Sequence, residues 1–239
     1  MLPEEIVNEI LIRVGKPALL STSQVCKQWR QLSLEQVKII VTLQDFREAC
    51  KQGNLLSITR SKCNKNWLNE GLRSSCLGGH KELAELMILK GANNRNYGLY
   101  GACRGGHKEL AEFMIAKGAD NWDRGLYSAC KGGHKELAEL MITKGADDWN
   151  DGLVGACKGG HKELVEFMIA KGVDNLNWGL WDACEGGHKE LVELMIAMGA
   201  DNWDWGLRGA CRGKQKELVQ LMVVKGADDC LCGKSIVDH

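Results

Sequence analysis

Gly125-Leu126-Tyr127-Ser128-Ala129-Cys130-Lys131-Gly132-Gly133-His134-Lys135-Glu136-Leu137-Ala138-Glu139-Leu140-Met141-Ile142-Thr143-Lys144-Gly145-Ala146-Asp147-Asp148-Trp149-Asn150-Asp151 is one period of a sequence that repeats itself. Cys76, Cys103, Cys130, Cys157, Cys184 and Cys211 are spaced 27 residues apart without a slip. His80, His107, His134, His161 and His188 follow four residues behind them, and Gln215 takes the sixth place. Units of equal length that cannot bury an apolar face alone stack into a solenoid. Positions 1 to 27 are counted below from the Gly that stands at 125 in this unit.

Each unit reads as two helices. Helix two starts beside the His, carries Lys and Glu in its first turn, and ends at the Lys-Gly-Ala step, where Gly145 suits a left-handed cap. Its apolar positions 13, 14, 16, 17 and 18 cover about 200° of the wheel, enough to pack against a partner and neighbours at once. Helix one is shorter. Position 26 is Asn69, Asn96, Asp123, Asn150, Asn177 or Asp204, which predicts an Asx cap for a turn beginning at positions 27 and 1. Leu at 2, Ala or Ser at 5 and Cys at 6 share one stripe, and the Gly-Gly at 8 and 9 predicts the tight turn between helices.

The unit Ala-Cys-x-Gly-Gly-His-x-Glu-Leu-Val-Glu-x-Met-Ile-x-x-Gly-Ala-Asp resembles the helix–turn–helix part of an ankyrin repeat, over roughly residues 44–229. Ankyrin units run to about 33 residues and open on Thr-Pro-Leu-His. The shorter period here implies that the projecting hairpin is cut to a loop, with an Asx and Gly-Leu replacing that opening. The expected fold is an all-α, ankyrin-like solenoid over 41–239. It comprises a degenerate first unit at 44–70, repeats at 71–205 and a C-terminal cap at 206–239, where Lys214-Gln215 replaces Gly-His.

Residues 1–40 have a different pattern. Leu2-Pro3-Glu4-Glu5-Ile6-Val7-Asn8-Glu9-Ile10-Leu11 places Pro at a first helical position, with apolar residues at amphipathic spacing. Leu19-Leu20 and Val25-Cys26-Lys27-Gln28-Trp29 follow. This segment resembles the F-box, matched without a gap from Leu2 to Trp29. The resemblance implies a small helical module that binds the Skp adaptor of cullin–RING ubiquitin ligases, through Leu2, Pro3, Ile6, Ile10, Leu11, Leu20, Val25 and Trp29. A segment this short does not cover so much apolar surface by itself, which also points to a partner.

Composition narrows the function classes. Thirty-one Lys and Arg against 31 Asp and Glu leave no net charge, which argues against a nucleic-acid binder. An acidic start and the lack of an apolar run near 18 residues argue against export or membrane insertion. The 11 Cys are then expected to be reduced, in the cytoplasm or nucleus. One Cys and one His per unit cannot converge on a zinc ion, because stacked helices lie about 8–10 Å apart. The His ladder is expected to satisfy backbone groups between units, as the ankyrin turn His does, and the Cys ladder to be buried packing. Cys230 and Cys232 form a C-x-C without a second pair. No phosphate loop, His-Glu-x-x-His or nucleophile elbow is present. The expectation is no catalysis, no cofactor and no metal.

What varies while the scaffold stays constant is informative. Position 3 reads Arg73, Tyr100, Tyr127, Val154, Trp181, Arg208; position 4 reads Ser74, Gly101, Ser128, Gly155, Asp182, Gly209. Position 7 reads Leu77, Arg104, Lys131, Lys158, Glu185, Arg212, and position 27 includes Tyr97, Arg124, Asp151, Trp178 and Trp205. On helix one these positions lie about 100° to 200° from Leu at position 2. Drift of an unselected surface would not favour Tyr, Trp and Arg, which anchor interfaces. The candidate target-binding residues are Arg73, Tyr100, Arg104, Tyr127, Lys131, Trp178, Trp181, Trp205 and Arg208. Trp178, Trp181 and Trp205 are expected to cluster, whereas Trp122, Trp149 and Trp203 at position 25 are expected to pack the loop against the next unit. The reading is a substrate-recruiting adaptor of a Skp–cullin–F-box ligase, similar to F-box/ankyrin proteins of giant DNA viruses and so acting in a host cell. The alternative is a scaffold or decoy without a ubiquitin link.

Overall fold

The computed structural model describes residues 42–54 and 64–228. Among these residues the structure is helical throughout, with no strand. After α1 (Leu43–Lys51) come six helical hairpins. They are α2 (Lys65–Leu77) with α3 (Lys81–Leu89), α4 (Arg95–Gly105) with α5 (Lys108–Ala116), and α6 (Trp122–Gly132) with α7 (Lys135–Lys144). Then follow α8 (Trp149–Gly159) with α9 (Lys162–Ala170), α10 (Leu176–Gly186) with α11 (Lys189–Ala197), and α12 (Trp203–Arg212) with α13 (Lys216–Lys225). Each even-numbered helix packs on the next even-numbered helix and on its own hairpin partner. The odd-numbered helices α3–α13 meet one another far less. The stack is therefore held chiefly along its helix-one side.

Side-chain size explains the core. Leu at position 2 and Leu, Ala or Val, and Met at positions 13, 14 and 17 are buried in every described hairpin. The Cys at position 6 is buried from Cys76 to Cys184, and less so at Cys211. The helix-two stripe is narrower than its pattern predicts, since positions 16 and 18 are only half-buried, and Val223 is exposed. Phe113 and Phe167 at position 16 are flanked by lysines. Lys117 and Lys81 stand 5.3 and 5.5 Å from the Phe113 ring, and Lys171 and Lys135 hold 5.3 and 5.7 Å from the Phe167 ring. Such stems cover apolar area while keeping the charge in water.

The turns follow the prediction. Gly106, Gly133, Gly160 and Gly187 at position 9 end helix one with φ between 78° and 83°, a conformation that favours glycine. In the last hairpin Lys214 takes that place, also with positive φ (57°). The next residue, His, packs its ring on the position-9 Gly of the preceding unit. Its Nε2 reaches the carbonyl of position 7 one unit back: His80 to Lys51 at 2.8 Å, His107 to Leu77 at 3.2 Å, His188 to Lys158 at 3.4 Å. The ladder is structural, as expected. Gln215 stacks on Gly187 in the same way.

Two further expectations need correction. First, from α4 to α12 helix one begins at position 25, two residues before the predicted start, and its N-cap is position 24, whereas α2 begins earlier, at Lys65 with Asn64 as its cap. Asn121, Asp148 and Asn202 accept from the amides of Arg124, Asp151 and Trp205 at 3.0, 2.9 and 3.0 Å. The Asx at position 26 is therefore not a cap; it lies inside the first turn and reaches forward into the next unit's loop. Asn96 Oδ1 accepts from the amides of Asp120 and Asn121 (2.9 and 3.1 Å), and Asp123 Oδ1 from those of Asp147 and Asp148 (2.9 and 3.1 Å). Asn69, Asn150, Asn177 and Asp204 repeat the link.

Second, position 4 is not on the exposed face. Ser74, Ser128, Asp182 and the glycines between them are buried. A Cβ on Gly101 would collide with the carbonyl oxygen of Arg73, and one on Gly155 or Gly209 with that of Tyr127 or Trp181. Successive helix-one backbones approach closely here, which leaves room for little more than a small residue.

At the N-terminal end α1 occupies a helix-one place. Phe46 is buried and lies 5.6 Å from the Trp67 ring. Thr42 and Asp45 form a reciprocal capping box. The predicted Skp-facing residues, residues 55–63 of the degenerate unit and Cys230–Cys232 lie outside the described residues. Among the described residues, no helix is long and apolar enough to cross a membrane.

Candidate partner-binding face

Helix-one side chains at positions 3, 7 and 27 project between successive hairpins and build two adjoining surfaces. In the first, Arg73, Tyr97, Tyr100, Arg104, Arg124, Tyr127 and Lys131, with Glu70 and Ser128, line a concavity of about 270 Å³. The tyrosines are half-buried, so each ring is supported by the stack while part of it meets solvent. Tyr97 and Tyr100 are 6.2 Å apart. The Arg124 guanidinium sits 4.2 Å over the Tyr127 ring, and Lys131 Nζ lies 3.4 Å from the Tyr127 hydroxyl. Burial raises the phenol pKa of both Tyr100 and Tyr127, so both remain neutral donors at physiological pH.

Charge in this concavity is lopsided. Glu70 pairs with Arg47 at 2.9 Å and with Arg73 at 3.9 Å. Asp151 pairs with Arg124 at 3.6 Å, and burial raises its carboxyl pKa against the pull of that cation. Lys131 is brought down to about 8, first by burial and then by Arg104 and Lys158.

The second surface belongs to the later hairpins. Trp181 and Trp205 meet edge to face at 6.3 Å, and Trp178 and Trp205 are 44% and 37% exposed. Beside them Lys158 holds Asp182 at 3.2 Å and Glu185 at 2.8 Å, and Glu185 also pairs with Arg212 at 3.3 Å. Burial works against the Lys158 ammonium, but its bonds to Glu185 and Asp182 more than offset this and raise its pKa. Burial raises Asp182 in turn.

Five of the nine predicted target-binding residues, Arg73, Tyr100, Arg104, Tyr127 and Lys131, come together in the first concavity. Trp181 and Trp205 come together in the second surface, Trp178 is exposed near them in sequence, and Arg208 is exposed. The predicted residues omit Tyr97, Arg124 and Glu70, all at position 27 and all lining the concavity. The signal was present in the variation at that position, and Glu70 was hidden because the unit before it is worn. Of the three tryptophans at position 25, Trp122 lies 3.9 Å from the place a Cβ would take on Gly145, whereas Gly172 and Gly226, the equivalent glycines for Trp149 and Trp203, have no such neighbour. Among the described residues, no cluster of His, Cys, Asp and Glu could hold a metal.

Hairpins of this length, turned by Gly-Gly-His and stacked through helix one, are what a comparison with known families can decide. The model of ankyrin repeats (three copies) matches residues 126–205, and that of the F-box domain matches residues 1–38. An F-box domain precedes ankyrin repeats in this chain. Its structure is similar to that of the human ASB11 ankyrin repeat domain, at 24% identity and a TM-score of 0.44, over 66% of this chain and 84% of that one. No curated protein matches the chain. The F-box and ankyrin repeats fit an adaptor that binds other proteins.

Proposed function

We propose that this F-box/ankyrin protein recruits a target to a Skp–cullin–RING ubiquitin ligase, in the cytoplasm or nucleus of a host cell. Residues 1–40 would dock on Skp through Leu2, Pro3, Ile6, Ile10, Leu11, Leu20, Val25 and Trp29. Residues 41–239 would hold the target on Arg73, Tyr100, Arg104, Tyr127, Lys131, Trp178, Trp181, Trp205 and Arg208. The observation that carries this reading is a partly exposed run of Tyr, Trp and Arg that changes from unit to unit on an otherwise uniform scaffold. Such residues in supported positions anchor interfaces. Ubiquitin transfer would be performed by other subunits. This chain's contribution is tethering, which raises the effective concentration of the target at the ligase without new chemistry.

Two measurements test the two halves. In a pull-down, purified Skp should be retained by the wild-type chain and lost from a Leu2→Asp/Trp29→Asp variant; equal retention sinks the ligase link and leaves a scaffold or decoy. In proximity labelling, a Tyr100→Ala/Tyr127→Ala/Trp181→Ala variant should lose a subset of labelled proteins. An unchanged set would clear this face of target binding.

A further inference from the structure

Position 7 places one side chain per unit where it can touch its equivalents in the units before and after. The later hairpins show how this row is neutralised. Glu185 sits between Lys158 and Arg212, 2.8 Å from one and 3.3 Å from the other. One carboxylate thus serves cations from both flanking units. The earlier hairpins present the same geometry with the middle charge reversed: Arg104, Lys131 and Lys158 occupy three successive position-7 sites. Lys158 is already engaged by Asp182 and Glu185. Among the described residues, no carboxylate stands within 4.0 Å of Arg104 or Lys131. The nearby acids are paired elsewhere, Glu70 to Arg47 and Arg73, Asp151 to Arg124, and Asp182 to Lys158. Burial, Arg104 and Lys158 depress the Lys131 ammonium against a weaker opposing pull from Asp182, the direction expected of a cation with no carboxylate bonded to it.

Building on the target-binding reading, we infer that the concavity between α4 and α6 takes an acidic peptide segment of the target, with an Asp or Glu carboxylate seated between Arg104 and Lys131. The carboxylate would be held by two position-7 cations, as the Glu185 carboxylate is held by Lys158 and Arg212. Arg104 offers a planar fork suited to a carboxylate, Lys131 a point charge, and Tyr100 and Tyr127 supply hydroxyl donors and apolar ring surface. Pairing of one carboxylate with two position-7 cations therefore already occurs in the same molecule, and charge complementarity favours the same anion here.

The same analogy supplies the test. Lys131→Glu places a carboxylate between Arg104 and Lys158, reproducing the Lys158–Glu185–Arg212 arrangement. The full-length chain should bind a fluorescein-labelled octaglutamate peptide by anisotropy, more weakly as salt rises, and not the octaglutamine counterpart. Lys131→Glu and Lys131→Met should each weaken that binding by about tenfold or more while melting no lower than wild type, because both remove an uncompensated cation. Binding unchanged in both variants overturns the inference. So does preference for octaglutamine, or binding of a phosphoserine peptide of the same length in place of octaglutamate. If octaglutamate fails to bind while the triple alanine variant loses its labelled partners, this inference is wrong and target binding by the face survives. If the labelled set does not change, the face itself is wrong.

Discussion

Cys103 and Cys130 show what one side chain contributes to a stack. Each lies on the buried stripe of its helix one, fully shielded from solvent. Burial pushes the thiols of Cys76, Cys103, Cys130 and Cys184 up to about 12, and that of Cys157 higher still. Since the thiolate is the reactive form, these residues are inert in the folded chain. Native alkylation followed by peptide mass spectrometry should leave Cys103 and Cys130 unmodified, with full labelling only after denaturant. Rapid native labelling at either would show that the stack opens locally. The burial was legible from the i, i+3, i+4 spacing with Leu and Ala. The thiol's pKa was not, because it depends on what the neighbouring unit lays over it.

Between elements, the link that recurs most regularly is the Asx at position 26. Each such oxygen accepts one or two amides from the loop of the following unit, as Asp123 does for Asp147 and Asp148. Those amides precede or cap a helix and would otherwise look to water. Asp123→Ala removes both bonds, and at roughly 1 kcal/mol net for each should cost about 1–2 kcal/mol in chemical denaturation. Asp123→Asn should be close to neutral, since the accepting oxygen is retained and Asn holds this place in four other units. Equal loss in both variants would mean that the charge, and not the acceptor, matters. The sequence pattern identified the residue and its hydrogen-bonding role but assigned it to its own helix. The true partner is 24 or 25 residues away, and a one-helix wheel carries no information about that distance.

Across the whole solenoid the His ladder couples each unit to the one before. Burial lowers the His134 pKa, with a partly opposing hydrogen bond donated to the Arg104 carbonyl and a further lowering by His161 and His107. The folded chain therefore takes up its proton at a lower pH than the unfolded chain does. Its contribution is complete above the ordinary value of about 6.5 and is lost as pH falls through and below it. The melting temperature should drop on acidification from about pH 7 to about pH 5. Gln215 already performs the stacking role in the last unit, so a His134→Gln variant should fold and show a shallower acid decline. An identical decline would remove His134 from the cause.

The period, the helix–turn–helix unit, the left-handed glycines and the structural His and Cys were determined by the sequence alone. Each depends on local spacing and local backbone preference, which a linear pattern records. The variable stripe was legible to the same extent, because its residues alternate with buried ones along a single helix. Only the tertiary structure decided that position 4 is buried, that Glu70, Tyr97 and Arg124 join the concavity, and that Glu185 is neutralised while Arg104 and Lys131 are not. These facts arise where one helix one meets the next, 27 residues later in the chain. Contact distance and charge balance there are set by the packing of two backbones.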